Sequence, residues 1–562
     1  MRLFILKNIY QMNQNPSKEM TNAEIYQSIL NIRNLKPEVR LASLQLIQTV
    51  FKSLGPERST TEYLPYLLNT PCYTEKDWAL ILDNISKIDI SQFQISEIRR
   101  LLNEIKFLSE LDSKVVRNAF SNCIGSFAKL NNDDINDKLI PEFVDELLKT
   151  EWDLSQMAAL SIIPKILYHI SYNITKQLLK SALSLCESET SLVRYSFVKM
   201  SSEIVGMLNE PEAIQLFESI LTLLDDFSIS ILCEISTFFI NYVQRLQEKY
   251  KDTIEPLHKL LKHSSWRVRC TTINSLKSIF QNVKVTFDEF YQFLQIGASD
   301  NEDEVRMAAC QQLPFVSKMR NIDTNKMKEM IEKFSKDTNQ HCRTTIASGL
   351  PLFSNSLGFD FVTSHLLDLI PDPSREVKLA AIESLKSKEI ARETALECII
   401  TLIKSQHKYL WREKQKIIEI ILTVIKPQDN SKDIYKSFTQ LTSLLLNDGA
   451  YDVRVSMVEN LPYLKKNLGD DWFKNDVVPI IKKAADDEDY KIRQTAVRAV
   501  ISCELFNPNG FEILYNAAKD NVSNVRLVVA KYTPRNYQNI LSPLKDDPDE
   551  DVAELAKQLD IS

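Results

Sequence analysis

Glycine is scarce in this chain, with 9 residues among 562. Hairpin-rich β proteins need many glycine-containing turns, and the alternating apolar and polar runs typical of strands are scarce here as well. The longest apolar runs, such as residues 417–425, are too short to cross a membrane and contain a charged residue. These absences exclude a hairpin-rich protein and a membrane span, and they favour a helical chain.

Motifs that carry catalysis or nucleotide binding are absent as well. The sequence has no G-x-x-x-x-G-K-[ST] or G-x-G-x-x-G loop, and none of its six histidines is followed by glutamate or has a partner at metal-ligand spacing. The net charge of −7 opposes the clustered positive charge that nucleic-acid binding requires. We therefore expect a binding protein that is not an enzyme and uses no cofactor, no metal and no nucleic acid.

Paired cysteines are missing too, because the nine cysteines are scattered singly with no C-x-x-C pair. This spacing is typical neither of a disulfide framework nor of a zinc site, and it predicts buried free thiols in a reducing compartment. We expect a cytoplasmic protein, with the nucleus as a further location. Residues 1–20 hold a short apolar stretch broken by Lys7 and no small-residue cleavage site, so we expect an irregular extension there.

What the chain does contain is a basic residue, usually after an apolar one, that recurs with a period of about 38 residues. Three of the intervals are double, and half-way through them a repeat has lost this signature but not its length. A period of this size predicts stacked units rather than one closed core. The basic residues are Arg40, Arg117, Arg194, Arg269, Arg306, Arg343, Lys378, Arg412, Arg454, Arg493 and Arg526.

An aspartate stands six residues before six of the last seven basic residues, with Arg412 as the exception. The short polar segment between them predicts a tight turn followed by a helix. If successive units stack in register, each aspartate lies near a neighbour's arginine, and exposed pairs of this kind contribute about 0–1 kcal/mol each. Other turn acids, such as Asp225-Asp226 and Asp546-Asp547, are predicted to be solvated. The predicted ladder comprises Asp300, Arg306, Asp337, Arg343, Asp372, Lys378, Asp448, Arg454, Asp487, Arg493, Asp520 and Arg526.

The segments on either side of each turn have the apolar spacing of helices. Pro65, Pro141, Pro256 and Pro479 are predicted to lie near helix starts, where proline is tolerated. A helix–turn–helix unit with this period and an apolar residue before arginine resembles HEAT repeats. The sequence therefore predicts an all-α fold, a HEAT-repeat α-solenoid in which about 15 antiparallel helix pairs form a superhelix over residues 21–562 as one continuous domain.

Particular strings make the resemblance more specific. Residues 54–67, LGPERSTTEYLPYL, residues 337–350, DTNQHCRTTIASGL, and residues 471–496 are similar to the scaffold (A) subunit of protein phosphatase 2A, each at the matching repeat. Further matches in the family's order cover nearly everything from about residue 23 to the end. The chain is identified as a divergent member of that HEAT-repeat family.

The resemblance implies a non-catalytic scaffold in a heterotrimer. A serine/threonine phosphatase catalytic subunit would bind the C-terminal repeats, about 370–562, and an exchangeable regulatory subunit the N-terminal ones, about 21–290, both along the ridge of turns. By resemblance the catalytic-subunit contacts are Trp411, Arg412, Tyr490, Arg493, Val522 and Ser523. The regulatory-subunit contacts are Trp152, Glu189, Ser191, Arg194, Trp266 and Arg267.

Three repeats depart from the family pattern. The fifth lacks the turn proline and the second basic residue, with Ser191 and Tyr195 in their places, and in the eleventh Glu413 replaces a buried valine. The last repeat is short and is interrupted by Pro534, so we expect its end to fray. Two alternatives stay open: the scaffold of a related phosphatase of the phosphatase 4 type, and a HEAT-repeat nuclear transport receptor.

Overall fold

The computed structural model describes residues 21–70, 73–129, 132–387, 411–424 and 432–558. All regular structure in these ranges is helical, which confirms the predicted all-α class. The chain divides into two compact units between Val285 and Thr286, and each is described by itself. The predicted extension over residues 1–20 lies outside the described ranges, and the single continuous solenoid stays a prediction.

In the first unit, helices alternate with short turns. The α-helices are Asn22–Ile32, Pro37–Leu44, Ile47–Arg58, Leu64–Leu68, Glu75–Ile85, Ile95–Ile105, Lys114–Ala128, Ile140–Leu148, Asp153–Ile166, Tyr172–Leu183, Ser191–Ile204, Glu210–Leu221, Ile229–Arg245, Ile254–Leu261 and Trp266–Phe280. The second helix of each repeat packs against the second helix of the next, as Ser191–Ile204 does against Ile229–Arg245. This serial packing is the arrangement of a solenoid, in which each layer contacts only its neighbours.

The second unit follows the same plan. Its α-helices are Phe287–Ala298, Asp303–Cys310, Leu313–Val316, Thr324–Ser335, Gln340–Gly349, Ser354–Leu357, Phe359–Leu369, Arg375–Ser384, Trp411–Val424, Lys432–Leu446, Tyr451–Leu468, Asp470–Trp472, Val478–Ala485, Tyr490–Ser502, Pro508–Ala517, Ser523–Tyr532, Gln538–Leu541 and Glu550–Gln558. The short last repeat, where we expected fraying, forms Glu550–Gln558, whose Val552 and Ala556 are buried.

A common local pattern starts the second helices. The residue before each helix has extended backbone angles, and at Asn339 and Asp489 its side chain accepts a hydrogen bond from the first helical turn. The third helical residue is usually a buried apolar one, such as Val305 or Val525. The fourth is therefore directed along the turns towards the adjacent repeat, and this is the position of the recurring basic residue.

The four prolines lie near the starts of their α-helices, as predicted, but three of those helices are extended backwards. Pro65, Pro141 and Pro479 follow π-helical turns, Ser59–Tyr63, Ile135–Leu139 and Phe473–Val477, which continue directly into the α-helix that holds the proline. A proline inside an α-helix clashes with the carbonyl four residues earlier, and the wider π turn relieves that clash. The helical segments therefore begin earlier in the chain than the positions of the prolines indicate.

Candidate interaction surface on the turns

The turns are joined to one another by arginine side chains that bind both their own turn and the next. Arg306 Nη1 donates to the carbonyls of Asp300 and Asn301, each at 3.0 Å. Its Nε and Nη2 donate to Asp337 Oδ2 and Oδ1, in the following repeat, at 2.7 and 3.0 Å. Asp337 Oδ1 also accepts from the Asn339 amide, so one carboxylate shapes its own turn and holds the arginine.

The same bidentate geometry recurs in both units. The side chains are mostly buried, so these pairs are not the exposed ones that the sequence led us to expect. Asp226 and Asp547, predicted to be solvated turn acids, are 4 % exposed ladder carboxylates, and that prediction is wrong. The bidentate pairs are Arg194–Asp226, Arg306–Asp337, Arg343–Asp372, Arg493–Asp520 and Arg526–Asp547.

Other turns use partial versions of this contact. Arg40 donates to Asp77 at 3.1 Å, although the sequence of the repeat that holds Asp77 lacks the basic signature. In the repeat whose second helix begins at Trp411, the fourth residue of that helix is Lys414, and its Nζ donates to Asp448 at 2.5 Å. Arg412 is therefore outside the ladder, which corrects its assignment as the recurring basic residue. Lys378 has no ion pair among the residues that the structure describes.

Hydrogen bonds lower the pKa of these ladder aspartates. Burial alone would raise the pKa of Asp337, but hydrogen bonds from Arg306 and the Asn339 amide outweigh it, and Asp226, Asp372 and Asp520 behave alike. For Asp547 the hydrogen bond from Arg526 is the largest effect on the pKa.

The lowered pKa values predict a specific acid sensitivity. A carboxyl group with a lower pKa when folded stabilises the native state fully above the unfolded value, about 3.9 for Asp, and loses that contribution as the pH falls through the folded value. We expect the urea midpoint to change little from this source between pH 7 and 5 and to fall below about pH 4. An Asp372→Asn variant should show a smaller fall, and an equal fall would contradict the prediction.

In the first unit, the residues predicted to bind a regulatory subunit lie in three of four successive turns, and neighbouring repeats contact one another there. Thr190 Oγ1 donates to Asp153 at 2.6 Å, and the Cys233 thiol lies 3.9 Å from the Arg267 carbonyl. Trp152 precedes its helix and is 65 % exposed, while Trp266 begins its own helix half-buried, with the Arg267 guanidinium 5.1 Å from its ring.

The remaining predicted residues of this unit differ in availability. Glu189 and Ser191 are exposed and free to meet a partner from their turn. Arg194 is bound to Asp226 and to the carbonyls of Ser188 and Glu189, so its guanidinium is occupied within the ladder. We infer that Arg194 shapes this surface more than it contacts a partner directly.

Sequence reasoning missed further apolar residues on these turns. Phe227, one residue before the cap of its helix, is fully exposed, and Val115, Leu192 and Ile229 lie exposed within the first two residues of theirs. Each stands at nearly the same place as Trp152 and Trp266 in neighbouring repeats. A large apolar residue inside an otherwise polar turn was the signal that could have identified them. Monomeric proteins rarely expose such residues in a contiguous row.

In the second unit, aromatic residues begin three second helices in succession. Trp411 is 37 % exposed, and the Arg412 guanidinium lies 4.6 Å from its ring centre. Tyr451, which we did not predict, is more exposed than Trp411, and Tyr490 is half-buried. Gln415 Nε2 donates to the Asp452 carbonyl at 3.4 Å, which joins the first two of these turns.

The other predicted residues of this unit lie on the same row of turns. Val522 caps the helix that Ser523 begins, and both are half-buried. Gln494 Nε2 donates to the Asn524 carbonyl at 2.7 Å, so this turn adjoins that of Tyr490. Arg493 was predicted both as a contact and as a ladder residue. Its guanidinium is bound to Asp520 and is therefore occupied within the ladder.

Glu413 occupies the position where other second helices bury an apolar residue. Its side chain is 2 % exposed, and its Oε1 lies 3.9 Å from Arg375 Nε in the preceding repeat. The departure from the family pattern is thus accommodated by a cation from an adjacent turn rather than by exposure of the acid. The helix Trp411–Val424 keeps its place, with Ile417, Ile418 and Ile420 buried.

Neither a metal-binding group nor a membrane-spanning helix is present in the described part of the chain. No three His, Cys, Asp or Glu side chains are grouped so as to hold a metal ion there. No helix in those ranges is long and apolar enough to cross a membrane. Seven cysteines lie within them, all free thiols and five of them buried.

These features define an α-solenoid of HEAT type, whose turns offer contact surfaces. Two curated proteins are similar to it in sequence. The protein phosphatase 2A scaffold subunit of Dictyostelium discoideum is 24% identical over 169 residues, 29% of this chain and 28% of that protein. The A-type regulatory subunit of protein phosphatase PP2A from Saccharomyces cerevisiae is 24% identical over 297 residues, 48% of this chain and 46% of that protein. No protein-family model matches the chain.

The predicted resemblance to the phosphatase 2A scaffold is confirmed by these two relatives. Both are named scaffold or regulatory subunits, which also confirms the predicted non-catalytic class. The chain matches less than half the length of either relative, so what those proteins bind does not pass to this chain directly.

Solved structures with a similar fold include Kap121p bound to RanGTP, with a TM-score of 0.60 and 14% identity over 93% of this chain and 57% of that one. Kap121p bound to Nup53p has a TM-score of 0.58, with 14% identity over 94% of this chain and 58% of that one. Kap95p with RanGDP has a TM-score of 0.52, with 13% identity over 99% and 76%. At such identities the likeness concerns the solenoid fold alone.

Proposed function

We propose that this chain is the scaffold of a heterotrimeric serine/threonine phosphatase complex of the 2A type, located in the cytoplasm. It holds a catalytic subunit on the turns that precede the helices beginning at Trp411, Tyr490 and Ser523. It holds an exchangeable regulatory subunit on the turns around Trp152 and Trp266. The observation that carries this proposal is the row of exposed or half-buried apolar residues at the starts of successive second helices, from Val115 to Trp266 in the first unit and from Trp411 to Val522 in the second.

Exposed aromatic side chains gain apolar burial when a partner covers them. Trp, Tyr and Arg are enriched among the interface residues that contribute most to binding. Trp411 and Tyr490 stand on turns held by the mostly buried pairs Lys414–Asp448 and Arg493–Asp520, so little ordering is needed when a partner docks. A scaffold that binds two partners at once raises the local concentration of one partner near the other. It needs no reaction chemistry of its own.

Affinity purification of the chain from its own cells, followed by mass spectrometry, tests the proposal. We expect to recover one or more regulatory subunits together with a catalytic subunit of the phosphatase 2A type. Recovery of a phosphatase 4-type catalytic subunit would assign the chain to that related complex instead. Recovery of a small GTPase with transport cargo, and no phosphatase, would replace the proposal with a nuclear transport receptor.

The first unit gives a sharper test of the regulatory surface. A Trp152→Ala, Phe227→Ala variant is expected to bind the regulatory subunit more weakly by at least tenfold, because two exposed anchors leave the surface while the core is untouched. Catalytic-subunit recovery should not change. Tyr168→Ala is the matched control, since Tyr168 is an exposed aromatic residue in the 3-10 turn Leu167–His169 after a second helix. Equal recovery of the regulatory subunit by the two variants would refute the assignment of this surface to that subunit.

A further inference from the structure

Two tyrosines and an arginine from three consecutive second helices of the second unit form a stack. Tyr451 begins Tyr451–Leu468, Arg498 lies in Tyr490–Ser502, and Tyr532 ends Ser523–Tyr532. The Arg498 guanidinium carbon is 5.7 Å from the centre of the Tyr451 ring and 4.7 Å from that of Tyr532. Both rings are exposed, so the guanidinium lies between two aromatic walls that face solvent.

The positive charge at this cluster has no carboxylate partner. Within the described ranges, no acidic side chain lies within 4.0 Å of Arg498, Arg454 or Lys531. Arg454 is buried, and its guanidinium carbon is 6.0 Å from the Tyr451 ring centre. Lys531 Nζ lies 5.4 Å from the Tyr532 ring centre. Three cations therefore surround two phenol rings with no compensating anion among the described residues.

This excess of positive charge arises at a gap in the aspartate–arginine ladder. Arg454 Nε donates to Thr495 Oγ1 at 3.0 Å, and its Nη1 donates to two carbonyls of its own turn. Asp487, which holds the ladder position in the next repeat, accepts from the Asp489 amide and forms no ion pair with Arg454. At the bidentate turns the aspartate neutralises the arginine, and here it does not.

Half-buried guanidinium groups without a counter-ion are costly unless something else compensates them. Arg498 Nε is buried and has no hydrogen-bond partner. A hydrogen bond from Arg498, together with the charges of Arg498 and Lys531, lowers the pKa of the Tyr532 phenol. The cluster thus favours an anion, and Tyr451 joins it to the row of aromatic residues that begin successive second helices.

We propose that the Tyr451–Arg498–Tyr532 cluster binds a carboxylate side chain from an acidic segment of a protein partner. A guanidinium binds a planar carboxylate through paired hydrogen bonds, and the rings supply apolar contact for the methylene groups of a glutamate. A dianionic phosphate group is expected to need more donors than the one half-exposed guanidinium offers. The inference rests on the proposed scaffold function only in that the partner docks on a surface that includes Tyr451.

Binding of a fluorescein-labelled oligoglutamate peptide to the full chain, followed by fluorescence anisotropy at low salt, tests the inference. We expect Arg498→Glu to weaken binding at least tenfold and Tyr532→Ala to weaken it about threefold. Lys466→Glu is the matched control, because it makes the same change of charge at an exposed residue of the preceding second helix, and it should stay within twofold. An oligoglutamine peptide should not bind.

Several outcomes would overturn the inference. Equal losses in Arg498→Glu and Lys466→Glu would mean that only net charge matters. Displacement of the peptide by inorganic phosphate but not by free glutamate would indicate a phosphate site instead. Thermal unfolding of each variant separates a binding defect from a folding defect, and Tyr532→Ala removes only an exposed ring at a helix end. Phosphatase recovery is scored separately, so failure of the unmodified chain to bind the oligoglutamate peptide, with intact phosphatase recovery, refutes this inference alone.

Discussion

A chain with Trp411→Ala and Arg412→Glu is expected to keep its regulatory subunit while it loses the phosphatase catalytic subunit. Trp411 is exposed at the first position of its helix and Arg412 stacks on it, so the two side chains present one surface. Anchors of this kind typically contribute 2 kcal/mol or more, about a 30-fold loss of affinity, and charge reversal adds repulsion. Pull-down of purified catalytic subunit by the variant and by the unmodified chain measures the difference.

The control for this experiment is a cation–aromatic pair elsewhere in the same unit. Lys519 Nζ lies 3.9 Å from the Tyr515 ring centre, on a first helix and just after it, away from the starts of the second helices. Tyr515→Ala, Lys519→Glu makes the same chemical change and should retain the catalytic subunit. Similar losses in both variants would mean that bulk charge, not the row of turns, governs binding.

Asp337→Ala is expected to cause the largest loss of stability. Arg306 is 12 % and Asp337 5 % exposed at the side chain, so removal of the carboxylate leaves a mostly buried guanidinium with only neutral acceptors and one exposed acid. Breaking a buried pair in this way costs about 3 kcal/mol. The Asn339 amide also loses its acceptor, so the turn itself should loosen. Urea unfolding followed by circular dichroism measures the change.

The same arginine supplies its own control. Asp303 also binds Arg306, but its side chain is 51 % exposed. Asp303→Ala should therefore cost less than about 1 kcal/mol, the usual range for surface pairs. Hydrogen exchange at the turn amides should rise in Asp337→Ala and not in Asp303→Ala. If the two variants unfold at the same urea concentration, burial does not determine the strength of the ladder.

The helix–turn–helix repeat was predictable because its signals are local. An aspartate six residues before an arginine spans one turn, and the helix that follows buries the residue before the arginine. Lys414 was not recognised as the ladder cation, because Arg412 also fits the spacing of the basic residues and only the start of the helix determines which residue points along the turns. Asp226 and Asp547 were missed for a related reason: a turn acid has the same sequence appearance whether it is solvated or paired.

The contact surface was predictable only in part. Trp152, Trp266 and Trp411 could be singled out through resemblance, and the structure adds Phe227 and Tyr451 on the same rows. Exposure cannot be deduced from residue type, since Trp472 is buried while Trp152 is not. The stack on Arg498 could not be foreseen either, because its three members lie in different repeats and meet only through packing.

Pro65, Pro141 and Pro479 each lie two residues after a π-helical turn, and this bears on how such repeats can evolve. A π-helical turn holds one residue more than an α-helical turn. That additional residue rotates the part of the helix before it by about 100° relative to the part after it. A mutation that deletes that residue would return the proline to a clash, and a mutation that removes the proline would leave the rotation behind. The insertion and the proline are therefore expected to be inherited, gained and lost together, as one event in the history of the repeat.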